Sequence, residues 1–329
     1  MDTLAKILLA LVALVVIIAI TLYVNHRLRT AWELDNVRAP GQLVAVNGHR
    51  LHVYTDGTGN DTLVFIAGSG TSGPTLDFKP LWARLMDTFR VGVVERAGYG
   101  FSERAKDLPR DIDSILLDTR RALELAGEAP PYVLVSHSMG AVEAIHWAHT
   151  YPDEVKAIVG LDPAVPVTYE TMAMPPVFAL RALSALASLG LTRILPPERD
   201  FLEKQQDILT TQDRDAYRAA LHRSTLTPNM VDEIAAAAGN ATMVAEQGAL
   251  TGVPILLFIS TGEGVGVENW RSILLRYAQD LDNAEYELLD VGHYMHHYEP
   301  ALIAGRIRRF LEPLQQLEEV RSAPGSEER

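Results

Sequence analysis

Cysteine is absent from the 329 residues. No disulfide can staple this fold or reveal its compartment, and no thiolate can serve in a metal site. A positive balance of charge is absent too: 29 basic against 42 acidic side chains leave −13 at pH 7. A surface of that sign argues against nucleic acid as a partner and against broad attachment to anionic lipid. It says little about a small substrate. No internal repeat recurs along the chain. Charge of either sign is missing from Ile7 to Val24, where Thr21 is the one weakly polar residue. Such a run is about long enough to cross a bilayer. A cleaved signal peptide is the alternative, but the run is long for one and no small-x-small site follows it.

The expectation is a single-pass N-terminal anchor in the cell membrane over residues 4–26, then a linker over 27–40. Lys6 precedes the run and Arg27, Arg29 and Arg38 follow it. That imbalance leans, narrowly, towards a cytoplasmic globular part. Past the anchor, the length suits one large α/β domain with an insertion.

The pattern then becomes regular. "QLVAVNGHRLHVYTDG" reads as a hairpin about Asn47-Gly48, a strong two-residue turn signal. Strands follow at Thr62–Gly68, Arg90–Glu95, the segment "YVLVSH", Lys156–Asp162, Pro254–Ser260 and Glu285–Asp290. Helical patterns lie between them: "FKPLWARLMDTF", Asp111–Gly127, Met139–Tyr151, Glu268–Leu281 and Ala301–Leu317. Strands alternating with helices predict a mostly parallel, eight-stranded sheet with helices on both faces. Strand signals are lacking over about 90 residues between the sixth and seventh strands, where Pro175-Pro176 and Pro196-Pro197 could open helices. The expected division is a core over 41–162, a helical cap over 163–252, the rest of the core over 253–316 and a loose tail over 317–329.

Where the apolar run "VLVSHSMGAVEA" stops, Ser138 stands at the corner between the fifth strand and a helix. Ligands of open α/β sheets bind beyond the carboxyl ends of the strands. A sharp strand-to-helix turn pushes a serine oxygen out over such a sheet, and the helix start offers free N–H groups to an oxyanion. The bland reading is an N-cap serine. The turn wants small neighbours; Gly140 is present, but Ser136 stands where glycine is usual.

Four motifs in order resemble the α/β-hydrolase superfamily, in its capped esterase and peptidase-like form, over about Gly41 to Leu314. They are "SHSMG", "AGSGTSGP" after the third strand, "ERAGYGFSE" after the fourth and "VGHYMHHYEP" after the last. The resemblance implies a serine nucleophile at Ser138, a base at His293, and an oxyanion hole from the amides of Ser69 and Met139. For the acid two positions are open, with Asp162 favoured and Glu263 the alternative. Asp162 ends the sixth strand, and Glu263 lies after the seventh, where the usual aspartate is missing. Glu95, Arg96 and Ser102 read as structural, and Asp290 as a strand end.

His296 and His297 lie near His293, but no carboxylate or cysteine framework accompanies them, so no metal and no cofactor are expected. Nor does a P-loop lysine or a full GxGxxG follow "GSG". Met172, Met174, Val177, Phe178 and Leu180 would either pack the cap onto the core or line an apolar pocket. A further possibility is that this cap helix rests on the bilayer and takes up lipophilic substrate there.

The resulting expectation is a membrane-anchored serine hydrolase cleaving carboxylic esters of small to medium size through an acyl-enzyme. One alternative is a proline-iminopeptidase-like or amide hydrolase, which would need acidic cap residues for a substrate amine. Another is a non-catalytic binding protein of hydrolase fold at the membrane. Relatives that open epoxides or remove halogen carry aspartate where Ser138 stands. Oligomeric state is open.

Overall fold

The computed structural model describes residues 3–322, and side chains as far as residue 316. Eight strands form one sheet: β1 (Gln42–Val46), β2 (His49–Asp56), β3 (Thr62–Ile66), β4 (Arg90–Glu95), β5 (Tyr132–His137), β6 (Val155–Leu161), β7 (Ile255–Ile259) and β8 (Ala284–Leu288). Their order is β1-β2-β4-β3-β5-β6-β7-β8. Only the two pairings made by β2 are antiparallel. The Asn47-Gly48 hairpin puts both turn residues at positive φ, 47° and 85°, as its turn type requires.

Alternation along β5 divides the core. Tyr132 and Leu134 join one buried cluster, under α4 (Ile112–Leu125), α5 (Gly140–Thr150) and α10 (Trp270–Gln279). Val133 and Val135 join the other, which includes Ile303, Ile307 and Leu311 of α12 (Pro300–Ser322). A sheet covered on both faces needs apolar residues in both registers, which is why β3, β5 and β7 are buried throughout.

After β3 the chain crosses to β4 on one side, and after β5 it crosses to β6 on the other. The crevice between β3 and β5 is therefore the switch point, where open α/β sheets hold their ligands. The loop after β3 carries Ser69 and the turn after β5 carries Ser138.

From Asp162 to Pro254 the described chain has no strand. Its helices are α6 (Val177–Ser188), α7 (Arg199–Lys204), α8 (Thr211–Ser224) and α9 (Pro228–Ala245). Pro176 and Glu198 are the residues just before α6 and α7, so each proline pair does precede a helix. Thr210 and Asp213 form a reciprocal capping box on α8.

Three expectations need correction. The segment 78–89 is not one helix: α2 (Pro74–Asp77) ends just before it, and it holds only the short α3 (Lys79–Trp82) and a run of turns to Phe89. Pro74 and Pro80 each open a new first turn, where proline is tolerated, and prevent a single continuous helix. Residues 27–36 are not linker but the end of α1 (Thr3–Asn36). No glycine or proline interrupts that stretch, and Arg193 of the cap holds it. The last helix likewise runs past Leu317 to Ser322, because Gln315 to Glu319 are good helix formers; residues 323–329 of the expected tail lie outside the described ones.

Candidate active site

β5 is buried at every residue, and its end is forced into a tight bend. Ser138 adopts φ 52°, a left-handed conformation rare for a residue with a side chain. Gly140 shows why the bend needs a glycine. A Cβ there would lie 2.6 Å from the Ile66 carbonyl oxygen and 2.9 Å from that of Ala67. Ser136, by contrast, fits in the strand as a fully buried residue, and its Oγ finds no partner among the described residues.

The β3 loop approaches from the other side of the crevice. A Cβ on Gly68 would come 2.8 Å from the Ser138 Cβ, so glycine permits the contact. Neither the Ser69 nor the Met139 amide donates a hydrogen bond among the described residues. Two free N–H groups thus flank Ser138, one from each side of the switch point. Arg96 supports the loop from below: its Nη2 donates to the Ala67 carbonyl at 2.8 Å. Glu143 and Glu233 neutralise that guanidinium at 3.0 Å each. Burial alone would lower the Arg96 pKa, but these carboxylates raise it. Glu95 ties the neighbouring turn: it accepts from the Phe101 amide at 2.7 Å and meets His52 Nδ1 at 3.1 Å.

His293 and Asp162 meet, although 131 residues separate them. Nδ1–H of His293 donates to Asp162 Oδ2 at 2.6 Å. Asp162 is fully buried with φ 46°. Its Oδ1 accepts from the Ser260 amide and from Trp270 Nε1, both at 2.9 Å, and its Oδ2 also accepts from Ser260 Oγ at 2.7 Å. A carboxylate with four donors is fixed in direction. Glu263 makes a different contact: its backbone carbonyl accepts the His293 N–H at 3.1 Å, while its side chain is exposed. Asp290 lies two residues past β8, exposed and paired with Arg271 at 3.0 Å.

Two features were not read from the sequence. His137, the residue before Ser138, donates from Nε2 to the His293 carbonyl at 3.2 Å, with the two rings 4.6 Å apart. Burial first, then the neighbouring His293 and His296, push its pKa well below the ordinary histidine value. It is therefore a neutral strut under the His293 loop. The second is Asp77, the carboxylate whose apparent absence was the argument against a metal at His296 and His297. It is supplied from 219 residues away. Its two oxygens accept from His296 Nε2 at 2.9 Å and His297 Nε2 at 3.0 Å. One ligand atom from each of the three residues lies within 4.8 Å of the others. As the side chains stand, they form a hydrogen-bonded cluster that fastens α2, just past the Ser69 loop, to α11 (Met295–Tyr298), just past His293. Burial lowers the His296 pKa to about 4, so it donates as a neutral ring. Burial would raise the Asp77 pKa, but His297 and the two hydrogen bonds hold it below the ordinary carboxylate value.

The cap closes over this rim. Gln205, at the end of α7, donates to the His297 carbonyl at 2.7 Å, and Phe201 packs on the His297 ring at 4.4 Å. Lys79 pairs with Asp213 of α8 at 2.8 Å. Leu180 is buried and Met172 packs partly buried on the core, whereas Val177 and Phe178 are exposed.

The family model described as "Serine aminopeptidase, S33" matches residues 78–296, from α2's neighbour Phe78 through His296. The chain belongs to this family. Members of the serine aminopeptidase S33 family share the α/β-hydrolase fold seen here, and this one is a hydrolase. It is similar over nearly its whole length to the uncharacterized protein YbdG of Bacillus subtilis, with 31% identity over 312 residues, covering 91% of this chain and 95% of that protein. A putative epoxide hydrolase mutant from Pseudomonas aeruginosa superposes with a TM-score of 0.64 at 20% identity, covering 84% of this chain and 96% of the other. The epoxide hydrolase of Bacillus megaterium, in complex with an inhibitor, gives 0.61 at 17%, covering 82% and 100%. At such identities the likeness is one of fold.

Proposed function

We propose that this hydrolase is a serine enzyme that cleaves carboxylic esters through an acyl-enzyme. Ser138 Oγ attacks the acyl carbonyl while His293 Nε2 takes its proton. The carbonyl oxygen becomes an oxyanion between the Ser69 and Met139 amides. Collapse expels the alcohol, which takes the proton from His293, and leaves the acyl group on Ser138. Water, deprotonated by His293, then releases the acid and restores the serine. Asp162 keeps the proton of neutral His293 on Nδ1 and stabilises the imidazolium that forms. The observation that carries this reading is the 2.6 Å bond from His293 Nδ1 to a fully buried carboxylate. A buried Asp–His pair beside a serine on a strained bend is what activation of a weak nucleophile requires. One contact supports bringing the serine to this pair: Ser138 follows His137, whose ring packs on that of His293.

The chain is further read as anchored by α1, whose apolar stretch is long enough to cross a bilayer and is unburied by the rest of the protein. Apolar acyl or alcohol groups are the expected substrates. One observation favours a second reading, an aminopeptidase. Glu198 of the cap is buried, and its Oε2 has no partner among the described residues. It lies close enough to Tyr217 to disfavour that phenolate. A carboxylate so placed suits a substrate ammonium.

A paired panel separates the readings: p-nitrophenyl esters of graded chain length against aminoacyl p-nitroanilides with free and blocked amines. Ester turnover with an initial burst, lost in Ser138→Ala, supports the esterase. Preference for free-amine anilides that vanishes in Glu198→Gln supports the peptidase. No turnover of either class, in protein that melts cooperatively, contradicts both.

A further inference from the structure

We infer that the outer edge of the cap, α6 with the turn at 191–195, is seated in the lipid headgroup layer beside the foot of α1. This rests on the reading of α1 as a membrane anchor.

The first observation is a clamp. Arg193 Nη1 and Nη2 each reach a carboxylate oxygen of Glu33 at 2.7 Å. Its Nη2 also donates to Thr30 Oγ1 at 3.1 Å, and its Nε to His26 Nδ1 at 3.1 Å. Gly190, at the end of α6, lies so close to His26 that a Cβ there would come 2.7 Å from the histidine Cβ. The cap and the foot of α1 are thus joined by a buried guanidinium and by direct packing.

Helix geometry turns the clamp into a depth. The uncharged run ends at Val24. At about 1.5 Å per residue, His26 lies about 3 Å beyond it, Thr30 about 9 Å and Glu33 about 14 Å. The headgroup layer on each side of a bilayer is roughly 5–8 Å deep. The Arg193 clamp therefore straddles the outer boundary of the headgroup layer: His26 lies within it, Thr30 at its edge and Glu33 beyond it.

The second observation is what surrounds that clamp. Ile194 and Leu195 follow Arg193 directly and are 52% and 66% exposed. Consecutive Cα atoms are about 3.8 Å apart, so both backbones sit within about 8 Å of the Arg193 Cα. Leu186 and Leu183, one and two turns back from Gly190, are exposed as well, and Phe178 at the start of α6 is 78% exposed. A soluble surface seldom leaves so many large apolar side chains together. Leucine, isoleucine and phenylalanine are the residues that enter the acyl boundary when a helix lies in the interface. Arg27 and Arg29, exposed on the same stretch of α1, face lipid phosphate.

The test uses the full chain in lipid nanodiscs. With no native cysteine, single-cysteine variants label cleanly. Fluorophore on Leu186→Cys and on Ile194→Cys, both exposed, should shift to shorter wavelength and lose intensity to lipids carrying a shallow quencher. Label on Leu288→Cys should do neither: Leu43 of β1 lines a cleft with Thr30 and Glu33 at the foot of α1, and β8 is the opposite sheet edge, about 34 Å from β1 at the usual strand spacing. Label on Leu14→Cys, in α1, should respond to a deep quencher. Quenching at Leu14 without quenching at Leu186 and Ile194 overturns the docking while leaving the anchor standing. If emission at those cap positions instead shifts with protein density alone, a second copy covers the face, and the inference also fails. An unquenched Leu14 overturns the anchor reading itself.

Discussion

Asp162→Asn separates the two carboxylates that the sequence left in competition. The native carboxylate accepts four hydrogen bonds: the Ser260 amide and Trp270 Nε1 on one oxygen, Ser260 Oγ and His293 Nδ1 on the other. Asparagine offers one oxygen and one NH2. If the NH2 faces the Ser260 amide and Trp270, two buried donors lose their acceptor, at about 1–3 kcal/mol each. The cheaper orientation keeps the oxygen there and turns NH2 towards His293. The imidazole must then accept at Nδ1 and carry its proton on Nε2, where it can no longer take one from Ser138. In the worked Ser-His-Asp template that wrong tautomer lowers kcat by about 10⁴, close to 5 kcal/mol of barrier. The same loss is expected here, with a folded, cooperatively melting protein. Glu263→Gln should stay within a factor of about two, since the side chain is exposed and surface changes seldom exceed about 0.5 kcal/mol. The assay is kcat on a p-nitrophenyl ester. An Asp162→Asn enzyme within tenfold of wild type, or a collapse of rate in Glu263→Gln, would refute the reasoning.

Gly68→Ala drives a methyl to within 2.8 Å of the Ser138 Cβ; displacing the oxyanion loop should cost about 10²–10³ in kcat with KM little changed, and an unchanged kcat would argue against Ser69 as a donor. Arg96→Met strands the carboxylate of Glu143 in the core, although Thr119 still donates to it at 2.6 Å, so urea unfolding should show a loss near the low end of the roughly 3–5 kcal/mol typical of a broken buried pair. Acid should destabilise the fold before carboxylates titrate. His296 charges near pH 6.5 when unfolded but only near 4 when folded, so the unfolded state binds more protons between these values. Its contribution is present above about pH 6.5 and lost as pH falls towards 4, by about 3 kcal/mol at 1.36 kcal/mol per unit. His137 adds in the same direction, and Asp77 takes over below about pH 4. A melting temperature that stays level from pH 7 to 4.5, or an equal slope in His296→Gln, would contradict this.

The sheet was legible because each strand is a short apolar run bounded by turn residues, and because Asn47-Gly48 permits only one kind of hairpin. The Ser138 corner was legible from Gly140 and the strand before it. What failed to show was anything that depends on residues distant in sequence. His137 reads as filler inside a motif until its ring is seen under His293. Asp77 reads as an ordinary helix carboxylate, and nothing in its neighbourhood announces His296 and His297. Asp162 was the favoured acid on paper and Glu263 the alternative, since each follows a strand beside the histidine loop; burial and the hydrogen bond to His293 set Asp162 apart. The long continuation of α1 was hidden by charge: Arg27, Arg29 and Glu33 look like linker, but Glu33 has its partner in the cap, at Arg193.

The central claim is that Ser138 is the nucleophile, and mass spectrometry of the protein after a fluorophosphonate probe tests it most directly. One adduct per chain is expected, on the peptide containing Ser138, absent from Ser138→Ala and greatly slowed in Asp162→Asn. An unmodified Ser138 in folded protein, or an adduct on another residue that persists in Ser138→Ala, would contradict the account.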